Sequence, residues 1–183
     1  AGTNCQALMP DITGTNYLLA VDNCSSVTVT QSVATNTLLV LGTNVAVLGV
    51  LDTAGNVAYC TNYVLVLDQT PPTITCPADL TVTNDPGQCG AVVHYTAPVG
   101  QDNCSAPVTT QVAGLVSGSL FPIGKTTNLF KVTDVAGNST QCGFVVTVND
   151  TEPPRITWHM TNVVVAAGTN CQALMPDITG TNY

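Results

Sequence analysis

The sequence predicts an all-β chain of small, disulfide-bonded β-sandwich modules, and three observations carry that prediction. Only 8% of residues are charged while 45% are apolar, in a chain dominated by Thr, Val, Asn and Gly, which is the composition of pleated strands and turns. The apolar residues fall in short runs separated by turn chemistry, and no stretch has helical periodicity. The 8 cysteines contain no CxxC pair and stand beside only 2 histidines, so they read as a disulfide set of an oxidising, extracellular compartment.

The same composition excludes some functions. Lys and Arg total 3 against 11 acidic residues, so nothing could neutralise a phosphate backbone and nucleic acid is excluded as a partner. No apolar run reaches the roughly 18 residues of a membrane span, and no signal peptide or initiator Met opens the chain, as expected of a mature or excised segment.

Repetition organises the chain at two scales. Residues 1–17 return unchanged as 167–183, a period of 166 residues, which is the mark of an array whose units pack on their neighbours. A second spacing of 82 residues lies inside that period. It carries Pro71 to Cys76 onto Pro153 to Trp158, Asp52 to Asn56 onto Asp134 to Asn138, Cys60 onto Cys142 and Cys89 onto Cys171. Three segments follow: a degenerate sandwich over 1–70, a complete one over 71–152, and the start of the next degenerate module over 153–183. The first strand of the degenerate module is expected from the preceding period, because its counterpart appears as Pro154 to Ala166.

In the complete module the expected strands run in order. Thr73 to Thr83 ends at Asn-Asp-Pro-Gly; Ala91 to Thr96 precedes the loop Pro98 to Asn103; Val108 to Val112 and Ser119 to Phe121 follow, the latter closed by Pro-Ile-Gly. Thr126 to Thr133 and Gly143 to Val148 flank Asp134 to Asn138. These runs point to roughly the seven short strands of a sandwich. In each Asp-x-Ala-Gly-Asn turn the glycine supplies positive φ, and the Asp side chain closes the turn.

Ile74 to Pro77, Asp79 to Val82, Asp102 to Cys104, Ser119 to Gly124, Asp134 to Asn138, Cys142 to Phe144 and Asn149 to Pro154 together resemble the hyalin repeat (HYR) module. The resemblance implies tandem immunoglobulin-like β-sandwiches of the kind found in extracellular adhesion and matrix proteins and in bacterial surface arrays. The degenerate module keeps Asp22 to Cys24, Asp52 to Asn56 and Leu67 to Pro72, but Trp158 and His159 replace the family's Cys-Pro.

The resemblance also implies disulfides. Family members commonly keep the first and last cysteines together, and a sandwich sets the first and last strands side by side, so Cys76 is paired with Cys142. Cys89 is paired with Cys104 and, by the same mapping, Cys5 with Cys24, although sequence alone leaves other connectivities open. Cys60 has Trp158 where its partner should be. Either it is a buried thiol under that indole, or it crosslinks to another chain.

No catalytic constellation is legible. His94 and His159 lack a nucleophile or ligand at a recognised spacing, and no phosphate loop, GxSxG or HExxH occurs. The chain is expected to be no enzyme. A metal reading has more behind it: one end of the sandwich should gather Asp68, Asp102, Asn103, Asp134 and Asn138, oxygen donors suited to Ca²⁺, against the plain alternative that these residues build turns. Asn23, Asn103, Asn138 and Asn149 head Asn-x-Ser/Thr sequons, so covalent glycans are a candidate route to solubility for a surface with little charge.

The last two strands of each module differ. In the complete module Phe130, Val132, Phe144, Val146 and Val148 share one parity, and Thr127, Lys131, Thr133, Thr147 and Asn149 the other. In the degenerate module the outward set is Val45, Gly49, Leu51, Leu65 and Leu67, with Val47 and Tyr63 beside them, and residues 1–67 contain no Lys, Arg or Glu. A strand apolar on both faces is expected to be covered on both faces. Val45, Val47, Leu51, Tyr63, Leu65 and Leu67 therefore form the expected assembly face, contacting other copies of the chain or repeat in a secreted filament or surface array. The competing readings are an apolar patch covered only within its own pair of modules, an adhesin or carbohydrate-binding stalk, and a passive spacer in a large secreted enzyme. The array could be one covalent polypeptide, or subunits that donate Pro154 to Ala166 to the next chain. The duplicated segment favours the covalent form, because two copies would otherwise compete for one place.

Overall fold

The structure, a computed structural model, describes residues 4–157, 162 and 164–173. Among these residues every regular element is a strand. Trp158 and His159, and with them the covering of Cys60 by Trp158, lie outside the described residues.

The first half opens with β1 (Gln6–Leu8), which pairs antiparallel with β3 (Leu38–Val40). Facing this ribbon is a three-stranded antiparallel sheet in the order β2 (Val27–Gln31), β4 (Gly42–Asp52), β5 (Val57–Val66). The β4–β5 hairpin turns at Asp52 to Asn56. There Gly55 holds φ +91° and the Asp52 carboxylate accepts from the Asn56 backbone N–H (2.8 Å) and from its Nδ2 (2.6 Å). Met9, Ile12, Leu39, Ala46, Leu48 and Val66 are buried between the two layers.

The second half repeats this plan with one strand more. β6 (Leu80–Thr83) runs parallel to β11 (Ser139–Asn149), which pairs with β10 (Gly124–Thr133), which pairs with β8 (Val108–Ala113). The opposite layer is β7 (Gly90–Val93) with β9 (Ser119–Pro122). Phe121, Phe130, Phe144, Val146 and Val148 fill the space between, with Ala91 and Val93. Phe130 and Phe144 stack at 6.3 Å, and Tyr95 meets Phe144 edge-on at 4.9 Å while its hydroxyl donates to the Leu115 carbonyl (2.6 Å).

This half has six strands where about seven were expected. The run from Thr73 forms regular strand only over Leu80–Thr83, because Pro77 brings no N–H to a ladder and Thr73 is instead held by an isolated bridge to Gln101. Strand for strand, β1 to β5 correspond to β7 to β11. Among the described residues β6 has no counterpart in the first half: there β5 ends its sheet beside β4, whereas β11 has a strand on each side.

The segment beyond Thr151 is a separate compact unit, and its described residues contain no strand. It holds a short turn in which the Cys171 N–H donates to the Gly168 carbonyl (3.0 Å) and Cys171 takes φ 58°, close to the 62° of Cys5 in the identical sequence.

Cys76 and Cys142 form a disulfide, with Cα atoms 5.6 Å apart, clamping the segment that leads into β6 onto β11. The other expected pairs, Cys89 with Cys104 and Cys5 with Cys24, do not form. Cys104 is joined to Cys5 instead, and Cys24 and Cys89 are exposed thiols. The reason is strand geometry. Cys89 immediately precedes β7, and Cys104 follows the chain after it has run the length of the sandwich to Gln101, so the two lie at opposite ends. β1 separates Cys5 from Cys24 in the same way.

Candidate functional site at the junction of the two halves

The residues that sequence analysis singled out converge where the first half hands over to the second. Val66 and Leu67 leave β5, and Asp68 to Pro72 lead to Thr73, whose N–H donates to the Gln101 carbonyl (2.7 Å). Next to that bridge stands the turn Asp102 to Ser105. The Asp102 Oδ2 accepts from the backbone N–H of Cys104 (2.8 Å) and of Ser105 (3.1 Å), the self-closing turn that Asp favours. The β10–β11 hairpin supplies Asp134 to Asn138, where Asp134 accepts from the Asn138 N–H and Nδ2, both at 2.8 Å. Asn138 Nδ2 also donates to the Asp68 carbonyl (3.2 Å), linking hairpin to linker. Leu41, Gly42, Val66 and Leu67 of the first half and Cys104, Ser105, Val135 and Ala136 of the second line a shared cavity of about 260 Å³.

The Cys5–Cys104 disulfide crosses this junction. Its Cα atoms are 5.1 Å apart although 99 residues separate them in the chain. Sequence reasoning missed it, yet the signal was present: the 82-residue spacing carries Cys89 onto Cys171, a copy of Cys5, and so places Cys5 and Cys89 at one end of their sandwiches.

Of the five oxygen-donor residues, Asp68 and Asp102 come together beside Cys104. One oxygen of each lies within 4.8 Å of the other and of the Cys104 sulfur, which is spent in the disulfide. Asp102 Oδ1 is buried and has no hydrogen-bond partner, whereas the Asp134 carboxylate is occupied by its own turn. Asn103 is exposed on the same turn. Among the sequons, Asn23, Asn103 and Asn149 are exposed, while the Asn138 amide nitrogen is engaged in the two hydrogen bonds just described. His94 is exposed on β7's continuation, with Gly118 beside its ring.

The expected assembly residues occupy the outer face of the β4–β5 hairpin. Tyr63 and Leu65 are 71% and 60% exposed, with Val45, Leu51 and Leu67 also exposed and Val47 half-buried; Tyr59, outside the expected set, is exposed as well. Gly49 is covered, its Cα facing the Tyr59 ring and the Thr30 hydroxyl. Cys60 points to the other side: half-buried, it packs against the first core and carries an unbonded thiol that accepts from Asn62 Nδ2 (3.8 Å). Among the described residues no helix is long and apolar enough to cross a membrane.

Residues 67–148 match the model of the HYR domain. Among curated proteins, a Hyalin of Lytechinus variegatus is 34% identical over 142 residues, which is 71% of this chain and 26% of that protein. A Hyalin of Strongylocentrotus purpuratus is 37% identical over 124 residues, covering 62% of this chain and 10% of that protein. The rat "Sushi, von Willebrand factor type A, EGF and pentraxin domain-containing protein 1" is 36% identical over 92 residues, half of this chain but only 3% of that protein. The chain thus spans a small part of the curated relatives it matches. Human protocadherin-24 EC1-2 aligns with 83% of the chain at 15% identity and a TM-score of 0.37.

Proposed function

We propose that this chain, whose residues 67–148 are a HYR domain, is a stretch of an extracellular structural protein in which such sandwiches follow one another in a filament or surface array, with no catalytic step. The observation that carries the reading is the outer face of β4–β5. Exposed apolar side chains cover it from Val45 to Leu67, on a half without Lys, Arg or Glu up to residue 67, and β5 is unpaired along its outer edge among the described residues. Left in water, such a face and edge favour association. The occupant is a second copy of the chain or repeat, because an uncharged surface of this kind matches itself without burying an unpaired charge. The two disulfides and the relatives named Hyalin support an extracellular setting. Leu65→Asp combined with Val47→Asp leaves the inward core untouched and should abolish ordered fibres in electron microscopy while the chain stays folded. Fibres formed as well as by the parent chain would refute the reading.

A binding role is the second reading, and one feature favours it. Tyr17 and Tyr63 line a depression of about 270 Å³ with Pro10, Ile12 and Asn62, the kind of ring-walled recess on which a sugar can stack. Carbohydrate binding on a glycan array, lost in Tyr63→Ala, would support an adhesin. At the junction, the unpartnered Oδ1 of Asp102 beside Asp68 favours a Ca²⁺ ion that stiffens the handover between modules.

A further inference from the structure

The Cys5–Cys104 disulfide is a template with two unused halves elsewhere in the same chain. Each sandwich has a trailing end, where its last strand leaves, and a leading end, where the chain arrives. Cys5 is at the trailing end of the first half: it precedes β1, whose Gln6 pairs with Val40, next to Gly42, which pairs with Val66 at the end of β5. Cys89 holds the same place in the second half. It precedes β7, whose Gly90 pairs with Pro122, and Gly124 pairs with Val148 near the end of β11. The turn between β6 and β7 is tied to the departing chain as well, since the Asn84 N–H donates to the Asn149 carbonyl (3.0 Å) and the Thr151 N–H donates to Asn84 Oδ1 (3.0 Å).

The leading-end cysteines match equally well. Cys104 sits in Asp102-Asn-Cys-Ser, and Cys24 in Asp22-Asn-Cys-Ser ahead of β2. In the first of these turns the Asp Oδ2 accepts from the two following backbone N–H groups at 2.8 and 3.1 Å; in the second both distances are 2.8 Å. One trailing-end cysteine, Cys5, is bonded to one leading-end cysteine, Cys104. Cys24 and Cys89, the leading-end cysteine of the first half and the trailing-end cysteine of the second, are both exposed thiols.

We propose that Cys24 and Cys89 are the open halves of the same staple, so that Cys89 of one period bonds to Cys24 of the next and every junction of the array carries one disulfide. The partner is the chain's own repeat, which Ala167 to Tyr183 already begins. The bond forms by exchange with a small-molecule disulfide such as oxidised glutathione. The Cys89 thiolate displaces one glutathione, and the Cys24 thiolate then attacks the mixed disulfide and releases the second. Two protein thiols are oxidised and one disulfide is reduced to two thiols. By the same rule Cys171, the copy of Cys5, awaits a leading-end cysteine in the module after it. The proposal rests on the array reading only in requiring that a next period exists.

A two-period chain, residues 1–166 continued directly by residues 1–183, tests it. After refolding in a glutathione redox buffer, free thiols are alkylated, the protein is digested with pepsin at acid pH, and the linked peptides are identified by mass spectrometry. The expected links are Cys5–Cys104 and Cys76–Cys142 in each copy and Cys89 of the first copy to Cys24 of the second, with alkylation of the first Cys24, the last Cys89, both Cys60 residues and the terminal Cys171. Cys89→Ser in the first copy should make the second Cys24 alkylatable with the other links unchanged. Cys5–Cys24 and Cys89–Cys104 links, or alkylation of both Cys24 residues in the parent chain, would overturn the proposal. Fibre formation is read separately by microscopy: fibres without the Cys89–Cys24 link would sink the staple alone, and the link without fibres would sink the assembly face alone.

Discussion

Cys5 and Cys104 are bonded to each other across the junction between two sandwiches, and neither is bonded to the cysteine of its own half. The bond converts a linker of a few residues into a two-point connection, with the chain at Asp68 to Pro72 on one side and the disulfide on the other. Cys5→Ser with Cys104→Ser should therefore loosen the junction while leaving both cores intact. The loop-closure term for a loop of this size sets an upper bound of about 4.7 kcal/mol on the stability lost. Urea unfolding followed by Tyr emission should split into two transitions in the double variant, and an unchanged single transition would contradict the two-point connection.

The core of the second half depends on one aromatic cluster. Phe144 is 2% exposed, stacked on Phe130 and met edge-on by Tyr95. Phe144→Ala should cost about 3–5 kcal/mol, read as a lowered denaturation midpoint at constant slope. A loss below about 1 kcal/mol would mean that the site collapses around the smaller side chain.

Acid should weaken the first hairpin. Hydrogen bonds from the Asn56 side chain, then from its backbone N–H, hold the Asp52 carboxyl below its ordinary value of 3.8. A carboxyl whose folded pKa is depressed contributes its full stabilisation above that ordinary value and loses it as pH falls through the folded one. Asp52→Asn should accordingly flatten the melting temperature below about pH 4 while lowering it slightly at pH 7. An acid limb unchanged in the variant would assign that limb to other carboxylates, such as Asp11 and Asp22, which turn hydrogen bonds also depress.

Calcium should raise the melting temperature if Asp68 and Asp102 share an ion. With the dissociation constants of 10⁻⁴ to 10⁻³ M usual for extracellular modules, about 10 mM Ca²⁺ adds roughly 1.4–2.7 kcal/mol. The shift should vanish in Asp102→Asn, which keeps an oxygen for the turn but loses the charge. Identical melting with calcium and with chelator would remove the ion from the account.

Much of this architecture was legible because strand parity and turn chemistry are local. The alternation of Phe130, Val132, Phe144, Val146 and Val148 marks one buried face, and all five are buried. The two Asp-x-Ala-Gly-Asn turns close the two long hairpins through the same Asp-to-Asn hydrogen bonds. What was not legible is what depends on which end of a strand a loop occupies. Cys89 and Cys104 are near in sequence and far in space because β7 runs between them, whereas Cys5 and Cys104 are remote in sequence and adjacent in space. Buried Asn128 was also missed. Its Oδ1 accepts from the Leu115 N–H (2.9 Å) and Gln111 Nε2 (3.2 Å), a role fixed by the loop after β8 and invisible in an outward-reading residue type.

The central claim is that these sandwiches form a continuous array, and the mass of the native polypeptide tests it most directly. Native fibres, fully reduced and denatured, should yield a chain of many periods, far heavier than 18.8 kDa. A single band near 18.8 kDa would contradict the covalent array and require subunits that complete one another by donating a strand to the outer edge of β5.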